Sequence, residues 1–232
     1  MKNINLLTLT VGLFLLMGSG GVGAAIIQDQ SSGGPAGFTF TRCLGCSGSI
    51  LDIAQTFTVG QDGILAQVDI YNVYLNLTNG GSTAGNPLLF DIRNTTPAGL
   101  PVADNSLALA TLEMPASSMP TSAFSPPMVF DLLSFGLNVN AGDVLALVLR
   151  SNDNVFAFGT SAGNAYSDGQ YTQRFVANAE FPDFTAPSFP DGTDLSFRTY
   201  IDTSVVPVPA AAWLFATALI GLVGFSKRRK TA

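Results

Sequence analysis

The stretch Asn138-Val-Asn-Ala-Gly-Asp-Val-Leu-Ala-Leu-Val-Leu-Arg150 decides how the chain is read. It opens on turn vocabulary, with Gly142 next to Asp143, and runs into Val144–Leu149 without a polar side chain. A run this short, bounded by a turn and a cation, is too brief for a buried helix and reads as a strand covered on both faces. A covered strand needs neighbours, and further strands are readable along the chain. Leu88, Phe90 and Ile92 share one parity opposite Asp91 and Arg93, which predicts an apolar-in, polar-out strand. Ala54–Val59 alternates and meets the turn Gly60-Gln-Asp-Gly63.

Between these, Ile64–Thr78 is rich in strand formers but changes phase. Val68 and Ile70 have one parity, Val73, Leu75 and Leu77 the other, so a bulge or bend is expected at Tyr71-Asn72. Further strands are expected over Ser106–Leu112, Met128–Leu132, Val155–Gly159, Tyr171–Val176 and Leu195–Ile201, with a Met/Pro/Ser loop over 113–127. Roughly nine or ten short strands separated by turn clusters predict an all-β fold: a single antiparallel β-sandwich over residues 26–204. The ordered stretches Ala54-Gln-Thr-Phe-Thr-Val59, Phe90-Asp-Ile-Arg-Asn-Thr-Thr96, Leu137–Leu147, Tyr166–Tyr171 and Leu195–Ile201 resemble the jelly-roll-like modules carried by many bacterial surface proteins.

The two ends have a different character. Residues 1–25 carry Lys2, an apolar core from Leu6 to Met17 and a small-residue end at Ala24-Ala25, the plan of a secretory signal peptide. Residues 205–232 contain Val206-Pro207-Val208-Pro209, an uncharged span 210–225 and the basic cluster Lys227-Arg228-Arg229-Lys230. About 16 residues at roughly 1.5 Å each reach about 24 Å, short of a bilayer core of roughly 30 Å. One transmembrane helix is expected, thin for a permanent anchor, with the cations holding its end on the cytoplasmic side and Trp213 at the outer interface. Pro207 and Pro209 favour an extended, accessible spacer outside it.

In that order, Pro-x-Pro, Ala210-Ala-Ala-Trp-Leu-Phe215, a helix punctuated by Gly221 and Gly224, and a terminal basic cluster resemble the PEP-CTERM sorting signal of exopolysaccharide-producing Gram-negative bacteria. The middle residue is Val208 where most such tails have Glu, as in a Val-Pro-x-Pro-Ala-Ala subgroup. The likeness covers 27 of the 232 residues. It implies a chain exported by the Sec machinery, held transiently in the inner membrane, cleaved near Pro-x-Pro by the membrane enzyme exosortase, and released to the cell surface or extracellular matrix, with exopolysaccharide as a partner. A permanently anchored surface protein is the alternative reading of the same tail.

Charge and composition narrow the function classes. Between residues 26 and 206 five arginines stand against all 16 acids of the chain, a net of −11, and no lysine lies between Lys2 and Lys227. Such a surface repels phosphate backbones, so nucleic acid is not an expected partner. The chain has no histidine, which removes His-dependent triads and imidazole metal ligands. The only glutamates are Glu113 and Glu180, and no motif pairs a carboxylate with either, so a non-catalytic protein is expected and a carboxylate-dependent glycoside hydrolase is the distant alternative. Cys43 and Cys46 stand in Arg-Cys-Leu-Gly-Cys. In an exported chain a disulfide is expected, with a redox pair as the alternative.

Two ligand readings remain. Tyr166, Asp168 and Tyr171 could form a sugar-binding loop, against the plainer explanation that the tyrosines pack at strand edges. Asp191 and Asp194 could supply oxygens to Ca²⁺, although Asp-Gly and Asn-Asp-Asn are ordinary turn vocabulary and no cofactor is expected. Asn76-Leu-Thr78 and Asn94-Thr-Thr96 match the Asn-linked glycosylation pattern, which occurs by chance often enough to carry little weight.

Overall fold

The computed structural model describes residues 25–41, 50–123, 126–176, 183–185 and 193–205. Segments 1–24 and 206–232, which hold the signal-peptide and sorting-signal expectations, lie outside these residues, as do Cys43, Cys46 and Asp191. Among the described residues no helix is long and apolar enough to cross a membrane.

The described chain is built of strands joined by turns and short 3-10 pieces: β1 (Ile26–Ser31), β2 (Gly37–Phe40), β3 (Ile50–Thr58), β4 (Gly63–Ile70), β5 (Tyr74–Leu75), β6 (Leu88–Asn94), β7 (Ala110–Met114), β8 (Met128–Asp131), β9 (Asn138–Val139), β10 (Val144–Arg150), β11 (Phe156–Thr160), β12 (Tyr171–Val176) and β13 (Phe197–Asp202). All pairings are antiparallel. One sheet runs β12-β3-β10-β6-β7, a second β1-β13-β4-β8 with β9 also on β4, and a small third sheet β2-β11-β5. The apolar run Val144–Arg150 is the middle strand of the first sheet, flanked by β3 and β6, as its unbroken hydrophobicity requires.

The two large sheets face each other over one core. Ile53, Phe57, Phe90, Ile92, Leu147 and Leu149 come from the first sheet, and Leu65, Val68, Ile70, Phe130, Phe197 and Ile201 from the second. The rings of Phe90 and Phe130 stack across the gap at 4.1 Å between centroids, and those of Phe57 and Phe197 meet at 6.2 Å. Each pair contributes about 0.5–1.5 kcal/mol beyond its area burial. Phe156 and Phe158 of the small sheet enter the same core.

The phase change at Tyr71-Asn72 is a corner between sheets. β4 ends at Ile70, Asn72 takes φ 51°, and β5 joins the small sheet. Val73 and Leu75 thereby reach the core on the parity opposite to Val68 and Ile70, while Leu77 stays exposed in a 3-10 turn. The expected strand 106–112 begins later. Asp104 accepts hydrogen bonds from the Ser106 amide and hydroxyl, winding 105–107 into a 3-10 turn, and β7 starts only at Ala110. On the second sheet the edge beyond β4 is broken: β8 and β9 pair with β4 at its two ends, with the 3-10 turn Leu133–Phe135 between them, while β1 forms the opposite edge.

Candidate functional site

β3 places Asp52, Ala54 and Thr56 on the outer face of the first sheet, β12 adds Thr172 and Arg174, β10 adds Ala146, Val148 and Arg150, and β6 adds Asp91 and Arg93. Alternation predicts that such polar residues of β6 meet solvent, yet Asp91 and Arg93 are each 0% exposed. The reason is a cover. The turn after β6 folds back, so that Arg93 donates to the carbonyls of Val102 (3.0 Å) and Ala103 (3.3 Å), and Phe184 lies over Arg174 with its centroid 4.6 Å from the guanidinium carbon.

The cluster under this cover is a connected set of ion pairs. Asp91 Oδ2 accepts from Arg93 and from Arg150 Nε (2.8 Å), and its Oδ1 accepts from Thr111 Oγ1 at 2.9 Å. Arg174 pairs with Asp52, Nε at 2.9 Å and Nη2 at 2.8 Å. The side-chain oxygen of Asn105 accepts from both Arg93 and Arg174, each at 2.7 Å, and so ties the two pairs together. Burial pushes the Asp91 carboxyl up, but hydrogen bonds from Arg150 and Arg93 outweigh it and hold it below the usual carboxylate range. At Asp52 burial prevails over Arg174 and holds the carboxyl above that range. Three of the four arginines among the described residues converge here, and the fourth, Arg198, lies on β13 with its guanidinium over Tyr71.

One atom in this face is left over. Thr172, 0% exposed and paired with Ala54 on β3, has a hydroxyl with no hydrogen-bond partner, the single case among buried side chains of the described residues. Thr172→Val keeps the shape and deletes the orphan group, so a gain of about 1 kcal/mol is expected from the urea midpoint; an unchanged or lowered midpoint would contradict it.

The tyrosine loop has a different geometry. Tyr166 and Tyr171 are 5% and 6% exposed. The Tyr166 ring packs edge-on against Phe197 at 5.3 Å, its oxygen accepts from the Thr58 amide at 3.0 Å, and it donates to Gln30 Oε1 at 3.3 Å. The Tyr171 hydroxyl pairs with Thr39 at 2.8 Å, and burial pushes its phenol up to about 12. Neither ring offers a face to a sugar in this arrangement. Asp168 is exposed, with its backbone carbonyl accepting from Thr58 Oγ1 at 2.8 Å.

Asp194 is 2% exposed and accepts from the Tyr166 amide at 2.9 Å and Gln55 Nε2 at 3.1 Å. Burial holds its carboxyl above the usual range despite those bonds. Its oxygens therefore anchor the tyrosine loop to β3, and among the described residues no group of three or more acidic, Cys or His side chains is arranged to hold a metal ion.

An open cleft of about 490 Å³ lies where β10 begins, lined by Asn94, Leu109, Leu137, Asn138, Val139 and Leu145 among others. Its one carboxylate, Asp143, accepts from the Asn140 amide at 2.8 Å, so it holds no acid–base pair. Glu113 is exposed on β7. The buried charge cluster is what the sequence reading missed. The signal available was Asp91, Arg93, Arg150 and Arg174 within or at the end of expected strands, while Asp52 precedes the expected strand Ala54–Val59. No protein-family model matches the chain, and no curated protein matches it.

Proposed function

We propose that this chain is an exported protein sorted through its C-terminal segment, and that its β domain serves as a non-catalytic structural or interaction module of the cell surface or exopolysaccharide layer. In this reading the Sec machinery exports it, the span 210–225 holds it briefly in the inner membrane, and exosortase cuts near Val206-Pro-Val-Pro209. The observation that carries the reading is the order of features in 206–232: proline spacer, apolar span, basic cluster.

The fold is compatible with such a cut. β13, the last of the described strands, is paired on one side with β1 and on the other with β4, and it ends at Asp202, before the proline spacer. Loss of residues 206–232 deletes none of the described strands. We read the sandwich as jelly-roll-like, which the pairing of strands distant in sequence (β3 with β10 and β12, β1 with β13) supports.

Intact mass of the mature protein from cells tests this. A species ending between Val206 and Ala210 is expected, and one retaining Lys227–Ala232 would overturn the sorting step in favour of permanent anchoring. Replacing Lys227, Arg228, Arg229 and Lys230 by Gln should leave unprocessed precursor on an immunoblot, because the cations hold the tail across the membrane; normal processing would refute that role.

A further inference from the structure

On the outer face of the β12-β3-β10-β6-β7 sheet, Ala54, Ala146 and Val148 form a small-residue apolar floor, and Phe184 is the side chain that clusters with them. Phe184 is 1% exposed and belongs to the segment 183–185, which meets β12 through two backbone bonds, Gln173 N to Thr185 O at 3.0 Å and Thr185 N to Gln173 O at 2.9 Å. The Phe184 benzyl ring packs on these two alanines and the valine. Next to Ala54 on the same face is Thr172, whose fully buried hydroxyl lacks a partner. Leaving a buried donor and acceptor unused is destabilising, and no described residue relieves it here.

Charge singles out the kind of partner. Arg150 stands two residues from Val148 on the same face, and its side chain is 16% exposed where those of Arg93 and Arg174 are 0%. Its Nε and Nη2 bind Asp91, and Nη1 makes no hydrogen bond among the described residues. A ring with an apolar C–H face, hydroxyls on its edge and a carboxylate matches floor, orphan hydroxyl and guanidinium together.

We propose that this face binds a hexuronate ring of an acidic polysaccharide, and that Phe184 fills the site when no sugar is present. The sugar ring replaces the benzyl ring on Ala54, Ala146 and Val148, a ring hydroxyl bonds Thr172 Oγ1, and the carboxylate pairs with Arg150. Because Phe184 must leave first, apparent affinity falls by the fraction of molecules in which the floor is open. A hexuronate is a narrower partner than the polysaccharide layer named above, and its assignment rests on that reading only for the expectation that the domain meets polysaccharide.

The test is calorimetric titration of the full chain in detergent micelles with trigalacturonate and, separately, neutral maltotriose. Phe184→Ala is expected to bind trigalacturonate at least tenfold more tightly than the wild type and to leave maltotriose unbound. Adding Thr172→Val should reverse at least tenfold of that gain, whereas mere stickiness of an uncovered apolar floor would increase. Thr172→Val alone, which exchanges a hydroxyl for a methyl, is the variant that does not depend on tolerance of the Phe184 cavity: it should weaken trigalacturonate binding while raising the urea midpoint. Equal binding of the neutral sugar, no gain in Phe184→Ala, or unchanged binding in Thr172→Val overturns the proposal. Each outcome is independent of whether cells trim the tail, so mass measurement and titration can fail separately.

Discussion

Asp91→Asn is expected to lose about 3–5 kcal/mol of folding free energy at neutral pH, read from urea unfolding by far-ultraviolet circular dichroism. The variant keeps the size of the side chain and removes its charge, leaving Arg93 fully buried and Arg150 largely so, both opposite a neutral amide. Against a typical total of about 5–15 kcal/mol this is a large fraction, because the Arg93 guanidinium cannot regain water without lifting the turn that covers it. A loss below about 1 kcal/mol would mean that the carbonyls of Val102 and Ala103 and the Asn105 side chain compensate the charges alone.

The same residue predicts an acid profile. In the folded state Asp91 is held below its ordinary value, so it binds a proton less readily than in the unfolded chain. Its stabilisation is therefore complete above the unfolded carboxylate value of about 3.9 and disappears as pH falls through the lower folded value. Asp52 has the opposite sign. Burial holds it above its ordinary value, so its contribution is most favourable at low pH and declines as pH rises through the folded value. The wild type should thus lose stability below about pH 4 more steeply than Asp91→Asn, and parallel profiles would remove Asp91 as the source.

Gly169→Ala is expected to cost about 3–4 kcal/mol, the sum of overpacking and of lost hydrogen bonds worth about 1 kcal/mol each. A Cβ at this position would lie 1.9 Å from the carbonyl oxygen of Thr56, a backbone atom of a central core strand that cannot retreat. The contact is that close because the turn hugs β3. The Thr56 amide donates to Gln170 O at 3.0 Å, and the Gln170 amide donates to Thr56 Oγ1 at 2.9 Å. Moving the turn away would break both and pull Tyr166 out of its seat against Phe197. Gly34→Ala, where a Cβ meets nothing within 4 Å, is the matched control and should stay within about 0.5 kcal/mol of the wild type. Equal unfolding midpoints for the two variants would show that the turn yields at no cost.

How much of the fold and the buried cluster was legible in the sequence depends on what each signal encodes. Hydrophobic runs encode cover, so Val144–Arg150 named the centre of its sheet and Tyr171–Val176 matched its strand to the residue. Phase encodes facing, so the slip at Tyr71-Asn72 marked a real discontinuity, although not that the chain changes sheets there. Parity says which way a side chain points and nothing about what lies over it. Asp91 and Arg93 do point away from the core, and the turn that follows β6, with one phenylalanine from far along the chain, makes that outside an inside. β1 and β2 went unread because Ile26–Ser31 and Gly37–Phe40 are half polar and owe their strand geometry to partners far along the chain, β13 and β11. Tyr166 and Tyr171 show the same limit, since a tyrosine beside Asp-Gly looks alike whether its ring is offered to a ligand or closed behind a glycine.

β1 and β13 lie side by side and antiparallel, with Ile26 opposite Asp202 and the Ala25 carbonyl accepting from Thr203. Entry and exit of the domain are consequently neighbours, about one inter-strand spacing of roughly 5 Å apart. A unit with that geometry behaves as a cassette. It can be spliced into an exposed loop of an unrelated carrier without prising the carrier's loop ends apart, and a cargo fused ahead of Ala25 would emerge beside Thr203 instead of at the far pole.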